Sequence, residues 1–174
     1  TSEVHASVVD FMLGRFNAWY QDKDVATDIV KAVMARRPTR PSDFNKRIEA
    51  VTAFRALEAS KSLAAANKRV GNILAKTQDK IPETIDQSLL SEEAEKALAH
   101  VVSKLSSDLK PIFATRDYKQ ALTILAQLQG PVDEFFDNVM VMCDDQAVKL
   151  NRLALLNILR NQFLNVADIS LIQG

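Results

Sequence analysis

Apolar residues recur at spacings of three and four along almost the whole chain, and this is the period of an α-helix. In ASKSLAAANKRVGNILAK, for example, the spacings are four, three, four and three for Ala59, Leu63, Ala66, Val70 and Ile73. Only four Gly and five Pro interrupt the 174 residues, so the chain offers few places for turns. The sequence therefore predicts an all-α fold, a bundle of about seven or eight helices around one core.

Breaks in this pattern predict where the helices lie. The first helix is predicted to bury the face formed by Val4, Val8, Met12, Phe16 and Trp19. A second helix is predicted to run from a cap at Asp24 to about Ala35. Pro38 and Pro41 then prevent a helix, so RRPTRPSDF is predicted to be an exposed basic linker, with Ser42 or Asp43 capping the next helix. Later helices are predicted to begin near Glu58, Ser91, Asp117, Pro131 and Asp145.

The charges of the chain are unevenly distributed, although 22 Lys and Arg balance 22 Asp and Glu. Between Arg36 and Lys76 there are ten basic residues and three acidic ones, a local charge of +7. The remainder of the chain therefore carries a charge of −7. A molecule with such a dipole attracts a polyanion to its basic side, so this segment favours nucleic-acid binding.

The helix predicted to begin near Glu58 carries a cationic face opposite its apolar seam. At about 100° per residue, that face consists of Lys61, Lys68, Arg69, Asn72 and Lys76, with the small Ala65 among them. Lys and Arg bind phosphates, and an Asn amide can both donate to and accept from the edge of a base. Solvated lysines are the plain alternative. However, no acid lies between Glu58 and Lys76, whereas a solvated face usually mixes both signs.

These two basic regions predict a set of RNA-binding residues. The set consists of Arg36, Arg37, Arg40, Arg47, Lys61, Lys68, Arg69, Asn72 and Lys76. Gly71 stands among them, although a glycine inside a helix costs about 1 kcal/mol relative to alanine. The sequence offers no account of this position unless a backbone or a ligand approaches there.

Motifs for catalysis are missing from the sequence. The two histidines, His5 and His100, are far apart, and the four glycines stand singly, so neither a zinc site nor a phosphate-binding loop is predicted. The single cysteine, Cys143, cannot form an internal disulfide, and no apolar run reaches the roughly 18 residues of a membrane span or resembles a signal peptide. We therefore expect a cytoplasmic protein without membrane attachment, metal or cofactor.

An acidic cluster leaves two alternatives open. The cluster consists of Asp133, Glu134, Asp137, Asp144 and Asp145. In the first alternative, their carboxylates gather around Mg²⁺. Alternatively, the acids complement the N-terminal ends of two helices, with Asp144 or Asp145 as a cap and Arg152 as a partner of one of them. In this second interpretation, which we favour, the core under the turn is filled by Phe135, Phe136, Val139, Met140 and Met142.

Three segments carry a resemblance to a known family. They are ARRPTRPSDFNKRIEAV, LAAANKRVGNILAK and FFDNVMVMCDDQAVKLNRLALLNILRNQFLNVADISLIQ. They resemble the C-terminal part of the β subunit of bacterial glycyl-tRNA synthetases, and the likeness runs through nearly the whole chain. The chain is also similar to the DALR-type helical domain of arginyl-tRNA synthetases. The resemblance implies a helical bundle that binds the anticodon region of glycine tRNA.

The resemblance also implies how such a domain is used. Residues 1–35 would join it to other domains of a longer β subunit, and residues 36–174 would form the anticodon-binding domain. Glycine activation, with ATP and Mg²⁺, would occur in a separate α subunit of an α2β2 assembly. The chain alone would then be a non-catalytic fragment of a glycine-tRNA ligase that binds RNA but not DNA.

Other functions fit the residues less well but are distinguishable. The chain could be the anticodon-binding module of an arginyl-type synthetase or a free-standing RNA-binding helical protein, and these differ in the tRNA that they prefer. A helical adaptor that binds only protein would instead use the acidic, apolar C-terminal half and would show no RNA affinity at low salt. A metal-dependent enzyme is the least favoured alternative.

Overall fold

The computed structural model describes residues 2–173 and contains, within that range, eight α-helices and no strand. The helices are α1 (Ser2–Asp22), α2 (Thr27–Met34), α3 (Pro41–Arg55), α4 (Ala59–Lys76), α5 (Glu93–Ala114), α6 (Tyr118–Leu125), α7 (Gln129–Asn138) and α8 (Gln146–Leu164). Three short 3-10 helices lie at Gln87–Leu89, Ala126–Leu128 and Ile169–Leu171. The predicted all-α bundle and the number of its helices are therefore confirmed. Within the described range, no helix is both long and apolar enough to cross a membrane.

Helix α8 lies at the centre of the bundle. Its leucines are buried on several sides of the helix rather than on one stripe. The buried leucines include Leu153, Leu155, Leu156 and Leu159. A helix that is apolar on several sides must be surrounded by other elements, and α8 indeed contacts α4, α5 and α6. Asp145 accepts hydrogen bonds from the backbone of residues 147 and 148, which confirms it as the cap that begins α8.

The predicted buried face of the first helix is wrong except at Phe16, which is partly buried and packs against Phe44 of the core. In α1 the buried residues are Leu13 and Tyr20, whereas Val4 is 67% exposed and Trp19 is 47% exposed. Tyr20 donates a hydrogen bond to the side chain of Asn45 on α3, which helps to place its ring inside. Because α1 carries apolar residues on both sides, their spacing alone cannot decide which side faces the core.

The second helix and the linker differ in part from expectation. Helix α2 buries four residues in the same core as the later helices, although it lies in the N-terminal segment 1–35. The division at residue 35 stays a prediction, and its outer limits, residues 1 and 174, lie outside the described residues.

Pro41 is the first residue of α3. The expected caps are wrong: Arg40 takes the cap position, Asp43 is buried inside α3, and Asp24 adopts a left-handed backbone before α2 begins.

The turn between α7 and α8 places its side chains differently from the prediction. Val139 and Val141 are buried, whereas Met140 is 72% exposed and Met142 is 55% exposed. Alternation of this kind is typical of an extended segment, in which neighbouring side chains point to opposite sides. The prediction that Met140 and Met142 fill the core is therefore wrong, whereas Phe135 and Val139 are buried as predicted. Arg152 also pairs with a different acid than expected, Glu95 on α5.

Candidate nucleic-acid interface

Helix α4 has the two faces that its sequence predicts. Leu63, Ala66 and Val70 are buried against the rest of the bundle. The opposite side of the helix is exposed, and it carries Lys61, Ala65, Lys68, Arg69, Asn72 and Lys76. Since α4 contains no acid between its cap and its end, every charge on the exposed face is positive. The geometry of the predicted face is thus confirmed, whereas its function stays a prediction.

A groove runs beside α4, with the 3-10 helix Ile169–Leu171 forming part of its opposite wall. Its volume is about 1090 Å³, comparable to the sites that hold small molecules. Its charged residues are all basic: Arg55, Lys61, Lys68 and Arg160. Neutral polar side chains come from Ser60, Asn72, Ser170 and Gln173. No Asp or Glu is among the described residues that line the groove. Asp28 lies 3.5 Å from Arg55 and Asp168 lies 3.7 Å from Arg160, so Lys61 and Lys68 contribute most of the positive potential that attracts anions to this concave surface.

A second, smaller hollow of about 350 Å³ adjoins the groove on α4. The two share Lys68 and Asn72, and Arg69 and Lys76 line only the second. The guanidinium carbon of Arg69 lies 4.4 Å from the centre of the Phe136 ring, so this side chain is held against α7. The structure therefore brings together five of the predicted residues, namely Lys61, Lys68, Arg69, Asn72 and Lys76.

The three arginines of the linker lie outside these two hollows. Arg36, Arg37 and Arg40 are exposed but do not line either one. Arg37 has a φ of 50°, in the left-handed region, and its guanidinium lies 2.7 Å from the carboxylate of Asp10 on α1. This pairing partly neutralises the linker. A role of the linker in RNA binding stays a prediction.

Arg47 belongs to the interior rather than to an RNA-binding surface. Its guanidinium donates hydrogen bonds to Asp43 and Tyr118 and to the carbonyl groups of Asn165 and Val166, at 2.7 to 3.1 Å. Burial would raise the pKa of Asp43, but the hydrogen bonds from Tyr118 and Arg47 outweigh it and hold this pKa below its ordinary value. We therefore correct the expectation for Arg47, because three of its donors join α3 to α6 and to the residues after α8, and a fourth binds Asp43 within α3.

Two basic residues of the groove were absent from the predicted set. Arg55 lies at the end of α3, and its Nη2 is 3.5 Å from both Asp28 and the carbonyl oxygen of Gln173. Arg160 lies on α8, far from α4 in sequence. No periodicity within α4 could indicate either residue, since each reaches the groove from another helix. The sequence of α8 does not single out Arg160 either, because the same helix contains Lys149 and Arg152.

Gly71 lies directly against the side chain of Arg160. A Cβ atom at this position would be 3.4 Å from Nε, 3.5 Å from Nη2 and 3.6 Å from Cζ of Arg160. Such distances are ordinary van der Waals contacts. The group that approaches Gly71 is therefore a side-chain guanidinium rather than a backbone, and there is room for one methyl group but for little more.

Replacing Gly71 with alanine is expected to stabilise the protein. The methyl group fits without displacing Arg160, and alanine favours a helix interior by roughly 0.5 to 1 kcal/mol. Urea unfolding followed by circular dichroism measures the difference in the free energy of unfolding. A less stable Gly71→Ala variant would show that Arg160 lies closer to the backbone than described.

The acidic cluster does not form one site. Asp133 accepts a hydrogen bond from Ser62 on α4, and Asp145 caps α8. Asp137 and Asp144 are exposed. Among residues 2–173 there is no group of three or more His, Cys, Asp or Glu side chains that could hold a metal ion.

Comparison with known families matches residues 63–172 to the DALR anticodon binding domain. The matched part begins within α4 and includes α8 and the last 3-10 helix. It therefore contains both walls of the groove, except for its margin at Arg55, Ser60 and Lys61 and at Gln173.

Curated relatives are similar to nearly the whole chain. The glycine-tRNA ligase beta subunit of Aliivibrio fischeri (strain MJ11) is 60% identical over 172 residues, which are 99% of this chain and 25% of the relative. The proteins of the same name from Vibrio atlanticus and from Shewanella sp. (strain W3-18-1) are 62% identical over 98% and 99% of this chain, and over 25% of each relative. The chain thus spans about a quarter of the length of the curated relatives it matches.

Proposed function

The chain belongs to the family of DALR anticodon binding domains, and on this premise we propose that its cationic groove binds the anticodon loop of a tRNA. The groove itself is the observation that supports this most directly, because Arg55, Lys61, Lys68 and Arg160 meet there without an acid among the described lining residues. Basic side chains of this kind neutralise phosphates, and a loop exposes the edges of its bases to groups such as the amide of Asn72.

The tRNA in question is glycine tRNA, and this proposal is supported by the names of the relatives. In the longer protein, residues 1–35 connect the domain to further domains, and residues 36–174 bind the anticodon. Glycine activation with ATP and Mg²⁺ takes place in a separate α subunit of an α2β2 ligase in the cytoplasm. The chain alone binds RNA but has no catalytic activity of its own.

We predict that binding depends on two cytosines of the anticodon. All glycine codons begin with GG, so every glycine tRNA carries CC at the two anticodon letters that pair with them. Cytosine presents an N4 amine donor beside the N3 and O2 acceptors, whereas uracil reverses the pattern at two of these positions. A polar group fitted to cytosine, such as Asn72, would lose its partner against uracil, at a cost of about 1 to 3 kcal/mol per base. Replacing either C with U should weaken binding by about ten-fold or more.

Fluorescence anisotropy at fixed salt tests this prediction. The chain is titrated with isolated glycine anticodon stem-loops that differ only at one of the three anticodon letters. Changing the first letter, which varies among glycine tRNAs, is the matched control and should have little effect. A stem-loop with an arginine anticodon tests the arginyl-type alternative. Equal affinities for all these loops would mean that the domain binds phosphates without reading the bases.

A further inference from the structure

Three arginines of the bundle are largely buried, and they differ in how their donors are used. The side chains of Arg47, Arg152 and Arg160 are 16%, 6% and 24% exposed. Arg47 and Arg152 each donate four hydrogen bonds within the protein. Four of the five donors of each guanidinium are therefore already used within the protein. Arg160, which lines the groove, differs from both.

The guanidinium of Arg160 has weak partners within the described chain. Its Nε atom is buried and has no hydrogen-bond partner there. Its Nη2 atom lies 3.7 Å from Oδ2 of Asp168, which is beyond ordinary hydrogen-bond distance. Buried donors are normally satisfied, and an unpaired one on a charged group is especially unfavourable. Since Nε is buried and Arg160 lines the groove, a ligand in the groove would bind to the Nη atoms, of which Nη2 has only the weak pair with Asp168.

The position of Arg160 is also well defined. It projects from the central helix α8 and rests against Gly71 of α4, with its guanidinium atoms 3.4 to 3.6 Å from where a Cβ of Gly71 would be. Lys61 and Lys68, in contrast, are exposed on the surface of α4. A planar guanidinium held on a rigid element can bind two oxygens of one phosphate, whereas a mobile lysine acts as a point charge.

We infer that Arg160 is a phosphate-binding residue of the groove and that it contacts a phosphodiester of the bound RNA strand. This inference rests on the proposed function, since it names a contact within the same groove. Lys61 and Lys68 supply the surrounding positive potential, and Arg160 sets the position of the strand between α4 and the last 3-10 helix. Packing against Gly71 keeps the guanidinium in place, and the ion pair with Asp168 is weak enough to leave donors for the phosphate.

Substitutions of Arg160 test the inference with the glycine anticodon stem-loop as the probe. We expect Arg160→Gln to weaken binding by about ten-fold or more, and to reduce the slope of log K against log salt by about 0.7, the value for one phosphate on a single strand. Arg160→Lys keeps the charge but not the fork of donors, and should restore only part of the affinity. Lys104→Gln, which removes one exposed charge from α5, is the matched control and should change affinity by less than about two-fold.

Further measurements distinguish a phosphodiester contact from a site for free phosphate and from the absence of RNA binding. Inorganic phosphate, added at constant ionic strength, should displace the stem-loop only at millimolar or higher concentration, because it offers one contact instead of a strand. Displacement at micromolar phosphate would show a site for the free ion and would contradict the inference. If the wild type binds the stem-loop and Arg160→Gln binds as tightly with an unchanged slope, Arg160 has no such role. If the wild type does not bind, the proposed function itself is wrong.

Thermal melting shows whether loss of binding reflects loss of the fold. Should Arg160→Gln fail to fold, Arg160→Lys is compared with Gly71→Leu, in which the larger side chain displaces the guanidinium while the charge remains. The inference then requires both folded variants to bind more weakly than Gly71→Ala, in which Arg160 keeps its place. Equal binding by all three would contradict it.

Discussion

The double substitution of Lys61 and Lys68 with glutamate is expected to weaken RNA binding by about 100-fold or more. Both side chains line the groove and are exposed, and they lie seven residues apart on one side of α4. A hydrogen bond that involves a charged group contributes about 1.5 to 3 kcal/mol, so the loss of two such contacts corresponds to at least two orders of magnitude in affinity. The new carboxylates would in addition repel phosphates.

Stability should hardly change in this variant, because surface substitutions usually shift the free energy of unfolding by about 0.5 kcal/mol or less. Arg69 is left intact, since its guanidinium packs on Phe136 and its loss would disturb that contact. The matched control replaces Lys104 and Lys110 of α5, which are also exposed, with glutamate and produces the same change in net charge. Anisotropy titrations at low salt compare the three proteins. An equal loss in the control would point to overall charge rather than to the groove.

One wall of the groove could be predicted from the sequence because helical periodicity acts within a single element. The seam of Leu63, Ala66 and Val70 is buried as its spacing requires, and Lys61 and Lys68 therefore face outwards. The order and approximate limits of the eight helices follow from the same period, together with the prolines and the caps Asp117 and Asp145. Such features depend on residues that are at most a few turns apart.

The opposite wall could not be predicted, because it depends on contacts between residues that are distant in sequence. Arg160 reaches the groove only because α8 passes beneath Gly71 of α4, and spacing within either helix does not show this. Arg47 lies in the same basic segment as Lys61, yet it donates to carbonyl groups more than a hundred residues away. A basic residue can bind RNA or join two helices, and only its neighbours in space decide between these roles.

The buried side of short segments that carry apolar residues on both sides could not be predicted either. In α1 and in the turn 139–143, apolar residues occur on both sides, so the pattern does not identify the side that meets the core. At the turn, Arg152 donates to the carbonyl oxygen of Met140 and so fixes the backbone there. The methionine side chains consequently point outwards, between buried valines.

Replacing Arg152 with methionine is expected to produce the largest loss of stability. Glu95 is completely buried, and the side chain of Arg152 is only 6% exposed. Two hydrogen bonds join them, from Nε to Oε1 at 3.1 Å and from Nη2 to Oε2 at 3.3 Å. Removing one partner of a buried ion pair leaves an uncompensated charge and typically costs about 3 to 5 kcal/mol. In a protein of this size, such a loss lowers the melting temperature by roughly 10 °C.

A second variant separates the buried charge from the loss of packing. In the double variant Glu95→Met with Arg152→Met, no charge remains unpaired, so part of the lost stability should return. Recovery should be incomplete, because Glu95 also accepts hydrogen bonds from the backbone of Ser91 and Glu92 at the start of α5. Lys96→Ala removes an exposed ion pair with Glu93 in the same helical turn and should leave the melting temperature unchanged. Urea unfolding monitored by circular dichroism measures all three variants against the wild type. If Arg152→Met lost no more than Lys96→Ala, the buried pair would not be what holds α5, α8 and the turn between α7 and α8 together.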